Sequence, residues 1–310
     1  MVKFMNDYKV SVLISSYNYA HIIRETFESV RNQTFNFDDI EVIFVDDKSS
    51  DNSVEVIQEF VDKYDNVKLF ITPEGKGGLS NSRNWSMELA SADYITFLDS
   101  DDKLNPEFIE ATYNEMVEND VDIVKTAFVM GFEEQVSYSR GLGRFMVPSD
   151  NISPLMIYNY LEAWSTLYNK KFLLENNIKF SYKYKIHENF LFSIQALSKT
   201  NKDIIVLDNV DGYVWNLKKD GAHNTPVQLD QMGEVIECSS KMVRTLIENN
   251  QPTEALETLF PFLLSICGAG IFNSDTTTEE KAIYFLKNVF HAENLLEVII
   301  QKQGDKNVQI

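Results

Sequence analysis

Cysteine is nearly absent: Cys238 and Cys267 are the only two in 310 residues. They lie far apart and lack the spacing of metal-binding pairs, which excludes a disulfide framework and a structural zinc site. Both read as core thiols in a reducing compartment. Basic residues are also scarce, 28 Lys and Arg against 47 Asp and Glu, for a formal net charge of −19 with no block of Lys or Arg. Such a field repels nucleic acid and anionic headgroups. An anionic ligand must therefore be held by local chemistry, such as a metal ion. No apolar run reaches the roughly 18 residues of a membrane span, and the start, MVKFMNDYKVSVLISS, has no basic segment leading into a long apolar one. A cytoplasmic protein is expected, with peripheral association at the inner membrane face left open. There is no internal repeat.

What is present is core material, with 44% hydrophobic and 12% aromatic residues, enough for one large domain or two moderate ones. From residue 9 to about residue 126, short apolar runs alternate with helical patterns. KVSVLIS, IEVIFVD, NVKLFIT and DYITFLD read as strands. Helices are expected over His21 to Gln33, after DKSSDNS, over SNSRNWSMELA, and over Pro106 to Asn119. This rhythm predicts an α/β fold, a mostly parallel sheet flanked by helices. In such sheets ligands bind beyond the carboxyl ends of the strands, where SSYN, DDKSSDN and DSDD all fall. The stretch DIVKTAFVMGFEEQVSYSRGLGRFMV then suggests strands around a glycine-containing turn, with DIIVLD and GYVWNL as two further strands. From about Pro226 the pattern is helical to the end. A boundary near residue 225 divides an α/β domain, 1–225, from a C-terminal helical module, 226–310, whose apolar faces would pack on the domain, form a homo-oligomer or position an acceptor.

Three acids in four residues, Asp99, Asp101 and Asp102, crowd the end of the apolar run YITFL. Two carboxylates spaced this way at a strand tip direct hard oxygen ligands into one crevice, where Mg²⁺ or Mn²⁺ would bridge the phosphates of a nucleotide. A plainer reading is a solvated loop in which Asp102 or Asn105 caps the helix near Pro106.

The stretches VSVLISSYN, VIFVDDKSSDNS, GGLSNSRNWSMELASADYITFLDSDD and HENFLF occur in that order. Together they resemble the family 2 glycosyltransferases, inverting enzymes of the Rossmann-like GT-A fold that move a sugar from a nucleotide diphosphate to an acceptor hydroxyl. The resemblance covers roughly residues 9 to 225, and the sequence around Trp164 is similar to the capsule and wall teichoic acid branch. It implies that Ser15, Tyr17 and Asp47 hold the nucleotide base, with Asp46 holding the loop. Arg83 would contact the nucleotide side, Asp99 would face the ribose, and Asp101 would bind the metal with His223. Tyr17 offers a stacking face and Asp47 an acceptor for a pyrimidine N–H. Ser49, Ser50 and Asp51 are equally ordinary helix-start residues, and His223 reads equally as a loop histidine.

One position departs from the family pattern. Inverting transfer needs a carboxylate to take the proton of the attacking hydroxyl. The resemblance implies an Asp where this chain has Asn189, and an amide cannot accept that proton. Glu188 is then the candidate base, with His187 as an assisting group. The expected function is a metal-dependent glycosyltransferase using a UDP-sugar donor and a polysaccharide, teichoic acid, lipid-linked or other glycan acceptor. Two alternatives remain: a catalytically impaired nucleotide-sugar-binding protein, and a sugar-phosphate nucleotidyltransferase, which would carry a Gly-rich basic first loop that LISSYNYAHI lacks. Trp164, Tyr168 and Trp215 are candidates for an acceptor platform or for core. Lys179, Lys183, Lys185, Lys218 and Lys219 are the only candidates for a patch that would meet a polyanion.

Overall fold

The computed structural model describes residues 8–73, 77–131, 136–216, 231–252, 254, 255 and 259. Four parallel strands, β1 (Val10–Ser16), β2 (Ile40–Asp46), β3 (Val67–Ile71) and β4 (Tyr94–Asp99), form one half of a single sheet in the order β3-β2-β1-β4. Helices α1 (Ile23–Arg31), α2 (Ser53–Lys63) and α3 (Leu79–Leu89) make the crossovers. β1, β2 and most of β4 are buried without interruption because both sheet faces are covered. Alternate residues serve opposite cores. Val12, Ile14, Val42 and Phe44 pack with Phe27 of α1 and Phe60 of α2, whose rings stack 4.2 Å apart, whereas Leu13, Ile43, Val45 and Phe97 pack with Met87 of α3.

The other half of the sheet is mixed. The short β5 (Lys103–Leu104) leads to α4 (Phe108–Asn119) and β6 (Ile123–Met130), followed by β7 (Val136–Ser137), β8 (Arg144–Val147) and α5 (Pro154–Asn159). β9 (Thr166–Asn169), α6 (Lys170–Glu175), α7 (Glu188–Lys199) and β10 (Ile204–Trp215) complete it. β9 runs antiparallel between β4 and β6, so the sheet continues β4-β9-β6-β10-β5. The apolar periodicity of AWSTLYN is too short to announce this strand.

DIIVLD and GYVWNL, expected as two strands, form the single strand β10. It runs parallel to β6 with register irregularities between Leu207 and Asp211 and between Asp211 and Tyr213. A bulge of this kind absorbs the polar NVD stretch without ending the strand.

Helix α8 (Met232–Glu248) follows, and its Cys238, Met242 and Leu246 share one core with Phe192 and Ile194 of α7. The start of the expected C-terminal module is thus packed into the α/β unit. The expected boundary near residue 225, and Cys267, lie outside the described residues. Among the described residues no helix is long and apolar enough to cross a membrane.

Candidate active site

Parallel register brings the candidate nucleotide residues together. Ser15 of β1 is paired with Val45 of β2 on one side and Asp99 of β4 on the other. Beyond the strand ends, the loop after β1 and the loop after β2 are locked to each other. Asn18, at φ 61°, donates its N–H to Ser49 Oγ at 2.8 Å and accepts from the Ser50 N–H at 2.7 Å. Tyr19 N–H donates to Ser53 Oγ at 2.9 Å and Ala20 N–H to Asp51 at 3.1 Å. Asn is among the few side chains that enter the left-handed region readily, which is the local reason for Asn18. Ser49, Ser50 and Asp51 therefore serve loop locking as well as the helix start. Tyr17 remains 55% exposed, its ring available for stacking.

The two aspartates after β2 have separate surroundings. Asp46 accepts from the Ser49 N–H at 2.7 Å and the Ser49 hydroxyl at 2.6 Å, holding the loop as expected. Asp47 accepts from the Thr72 hydroxyl at 2.7 Å and from the N–H of Gly78, at the start of α3, at 2.6 Å. A carboxylate at a helix N-terminus is favoured there. A Cβ on Gly77 would come within 2.8 Å of Asp47 Oδ1, so a side chain there would displace the Asp47 carboxylate. Each Asp47 oxygen retains a lone pair for a further donor.

Arg83 is 4% exposed, and is an internal bridge rather than a surface ion pair. One of its terminal nitrogens donates to Asp99 Oδ1 at 2.6 Å and the other to Glu188 Oε1 at 3.3 Å, with the guanidinium 5.0 Å from the Phe180 ring. Burial opposes its charge, but Asp99 and Glu188 outweigh burial and hold it firmly protonated. The acid at the tip of β4 and the start of α7 are thereby tied through one side chain.

The crowded acids have three different partners. Asp99 has Arg83, and Asp101 has the Tyr19 phenol, whose pKa is pushed up to about 12 by burial and by that hydrogen bond. Asp102, 3% exposed, accepts from Tyr213 Oη at 2.6 Å and from the Asn216 N–H at 2.8 Å. Burial and then the charges of Asp99 and Asp101 push its pKa well above the usual carboxylate range. Neither Asp102 nor Asn105 caps α4 with its side chain, contrary to the plainer sequence reading. Instead, the Gln33 side chain, from the chain just beyond α1, accepts from the Ile109 N–H at 3.0 Å.

Glu188 opens α7. It is buried, and burial raises its pKa while Arg83 opposes the rise. Asn189 turns its Oδ1 to the N–H of Phe190 at 2.8 Å. His187 precedes them at φ 61°, stacked on Phe190, with Nδ1 buried and unpartnered; burial lowers its pKa to about 4, which keeps the ring neutral.

Trp164 and Tyr168 are core residues, at 6% and 1% exposure, and are not an acceptor platform. Trp164 stacks on Tyr213 and the Tyr168 hydroxyl donates to the Ala163 carbonyl. Trp215 is half-buried beside them. Lys179 and Lys183 are paired with Glu88 and Glu237, which discounts them as a free basic patch. His223, Lys218 and Lys219 lie outside the described residues.

A divalent cation fits the chemistry of this site. Negative charge is crowded at this tip, since the charges of Asp99 and Asp101 add to burial in raising the Asp102 pKa. Hard cations of this size commonly take one or two carboxylates and complete their shell with phosphate and water. Among the described residues no group of three or more ligating side chains stands ready, so Asp101 would need oxygens from the nucleotide.

Tyr19 and Tyr213 were not visible as site residues in the sequence. Tyr213 stands 111 residues from Asp102, and only the packing of β10 beside β5 joins them.

A parallel sheet whose carboxyl ends gather an acidic tip bridged to a buried glutamate defines a GT-A type of scaffold. The chain belongs to glycosyl transferase family 2, whose model matches residues 11–200. It is 31% identical over 218 residues to the poly(ribitol-phosphate) beta-glucosyltransferase of Bacillus spizizenii, a match covering 69% of this chain and 33% of that protein. It is 26% identical over 220 residues to the poly(ribitol-phosphate) beta-N-acetylglucosaminyltransferase TarS of Staphylococcus aureus, covering 69% of this chain and 36% of TarS. These matches thus span about a third of either relative. The crystal structure of S. aureus TarS 1-349 in complex with UDP-GlcNAc superposes with a TM-score of 0.73 at 23% identity, covering 89% of this chain and 78% of that one, a likeness of fold.

Proposed function

We propose that this protein is a metal-dependent inverting glycosyltransferase that moves a sugar from a UDP-sugar to a hydroxyl of a cell-surface polysaccharide, teichoic acid or other glycan. The observation that carries the reading is the Arg83 bridge, because it joins the acidic tip of β4 to Glu188 across the mouth of the sheet. Ser15, Tyr17 and Asp47 hold the nucleotide base, Tyr17 by stacking and Asp47 by accepting an N–H. Asp99 faces the ribose. Asp101 is the protein ligand for Mn²⁺ or Mg²⁺, with His223 as its second. The ion supplies positive charge against the diphosphate.

Glu188 takes the proton. The acceptor oxygen forms its bond to the anomeric carbon as the bond from that carbon to the diphosphate breaks, and the hydroxyl proton passes to the Glu188 carboxylate. The elevated pKa suits a base that must accept a proton near neutral pH. Tyr17, exposed beside the nucleotide loop, leaves room for the donor to enter from solvent.

The test is metal-dependent UDP release from UDP-GlcNAc, UDP-Glc and UDP-Gal, followed by Glu188→Gln. The substitution should lower turnover about 10²- to 10⁴-fold while UDP binding stays within a few-fold. Failure to bind any UDP-sugar with or without Mn²⁺ sinks the whole reading. Undiminished turnover in Glu188→Gln removes Glu188 as the base.

A second reading is favoured by Asn189, whose side chain is spent on the Phe190 N–H. Under it the protein binds nucleotide sugars and transfers poorly. Donor binding without turnover, and a gain of orders of magnitude in Asn189→Asp, is the result that selects it.

A further inference from the structure

Three acids within four residues cannot hold one arrangement unaided, because unscreened like charges at this spacing repel. Arg83 holds the Asp99 carboxylate and Tyr19 that of Asp101, while the third, Asp102, is held from β10 and the residue that follows it. Tyr213 Oη donates to Asp102 Oδ2 at 2.6 Å and accepts from the backbone N–H of Asp99 at 3.3 Å. The other Asp102 oxygen accepts from the Asn216 N–H, three residues further along the same segment. Tyr213 is itself fully buried, its ring stacked on Trp164 with centroids 4.5 Å apart and 23° between planes.

Much of the local architecture places this hydroxyl. The acidic loop runs straight into β5, which pairs with β10 through Leu104 opposite Tyr213 and Lys103 opposite Val214. Asn105 closes the pairing, its N–H donating to the Gly212 carbonyl at 3.0 Å. The register irregularities in β10 fall immediately before Tyr213, and bulges beside sites commonly re-aim a side chain. At Gly212 a Cβ would stand 2.3 Å from Thr126 Oγ1 and 2.5 Å from a Phe108 ring carbon. Glycine alone therefore allows β10 to lie this close to β6 and α4 with Tyr213 at the level of the acids.

We infer that Tyr213 is a positioning residue for donor binding: by holding Asp102 and the Asp99 N–H together, it sets the direction of Asp101 toward the metal–diphosphate of a nucleotide sugar. Tyr213 touches neither donor nor metal and acts through the loop. The inference rests on the glycosyltransferase reading above and adds a residue to it that the acidic motif does not contain.

The experiment is calorimetric titration of the full chain with UDP and with UMP, in Mn²⁺ and in EDTA. The variants are Tyr213→Phe, Asp102→Asn and the double substitution, with thermal unfolding measured on each. Tyr213→Phe keeps the ring stack and removes only the hydroxyl. It should weaken UDP binding in Mn²⁺ about five- to tenfold, the effect of losing one ordinary hydrogen bond. UMP binding in EDTA should stay unchanged. The double variant should lose less than the sum of the two single losses, because the single variants share the Tyr213–Asp102 hydrogen bond. Equal weakening of UMP and UDP, or additive losses, means a general loss of structure and overturns the inference. Wild-type affinity in Tyr213→Phe overturns it as well. A wild-type chain that binds no UDP in either condition indicts the underlying functional reading instead, and is distinguishable because no variant is then needed to see it.

Discussion

Glu188 begins α7 with one carboxylate oxygen on Arg83, in surroundings that raise its pKa. A base must be unprotonated to act, so activity falls as pH drops through that raised value. The acid limb of kcat/KM should therefore lie above the ordinary carboxylate value of about 4.3. Arg83 moderates the rise, and the limb should be absent from the residual activity of Glu188→Gln. A limb at or below the ordinary value, in a pH profile of UDP release, removes this residue from the proton transfer. Residues of this site were legible in sequence where their signal is local. Ser15 and Asp99 stand at the ends of recognisable apolar runs, and Asp46 and Asp47 follow a third. Arg83 was legible as a cation near a helix start, but not as a bridge, since its partners lie 16 and 105 residues away. The hydrogen bond that Asn189 Oδ1 accepts from the next backbone N–H is a choice of rotamer, which no pattern of residue types encodes.

The elements that carry these residues are fastened at the end of the sheet away from the site. Glu41 of β2, fully buried, accepts from Ser11 Oγ at 2.5 Å, from the Ser91 N–H at 2.7 Å and hydroxyl at 2.8 Å, and is paired with Lys68. One carboxylate thus joins β1, β2, β3 and the turn into β4. Burial alone would raise its pKa, but these donors outweigh it and depress it. A depressed carboxylate contributes stability that is present above its unfolded value, about 4.3, and is lost as pH falls through the folded value. Glu41→Gln should cost about 2 kcal/mol at pH 7, and less at a pH near 3, measured by urea unfolding. An equal loss at both pH values contradicts the charged role. β1, β2 and β4 were readable because burial leaves them mostly apolar, although Ser11, Glu41 and Thr96 are buried within them. β10 was misread as two strands because its bulge carries Asp208, Asn209 and Asp211 through the interior of a strand. Asp208 is buried there and accepts from the N–H groups of Arg140 and Leu142 at 2.9 and 2.7 Å, partners that lie in a distant loop. Its polarity reads as a break when those partners are unknown.

For the whole molecule, the charge of −19 opposes any anionic donor. Without a divalent ion, UDP binding should strengthen as salt rises from about 20 to 200 mM, because added ions screen the repulsion over a Debye length near 10 Å at 0.1 M. With Mn²⁺ present that trend should flatten. Calorimetry in EDTA and in Mn²⁺ across this range checks it, and UDP affinity that falls equally with salt in both would point to a positive local field. Composition foretold this balance and the α/β rhythm foretold the parallel half. The antiparallel insertion of β9 was hidden because four residues cannot display a period. That insertion also imposes an order of events on the growing chain. β4 and β6 share no ladder, and only Thr166–Asn169 between them joins the acidic tip of β4 to the half of the sheet that contains β10 and Tyr213. Such non-local pairing is slow relative to the local crossovers that precede it. The four parallel strands can therefore pair before β9 is made, whereas Tyr213 reaches Asp102 only once β10, which follows β9 in the chain, has paired.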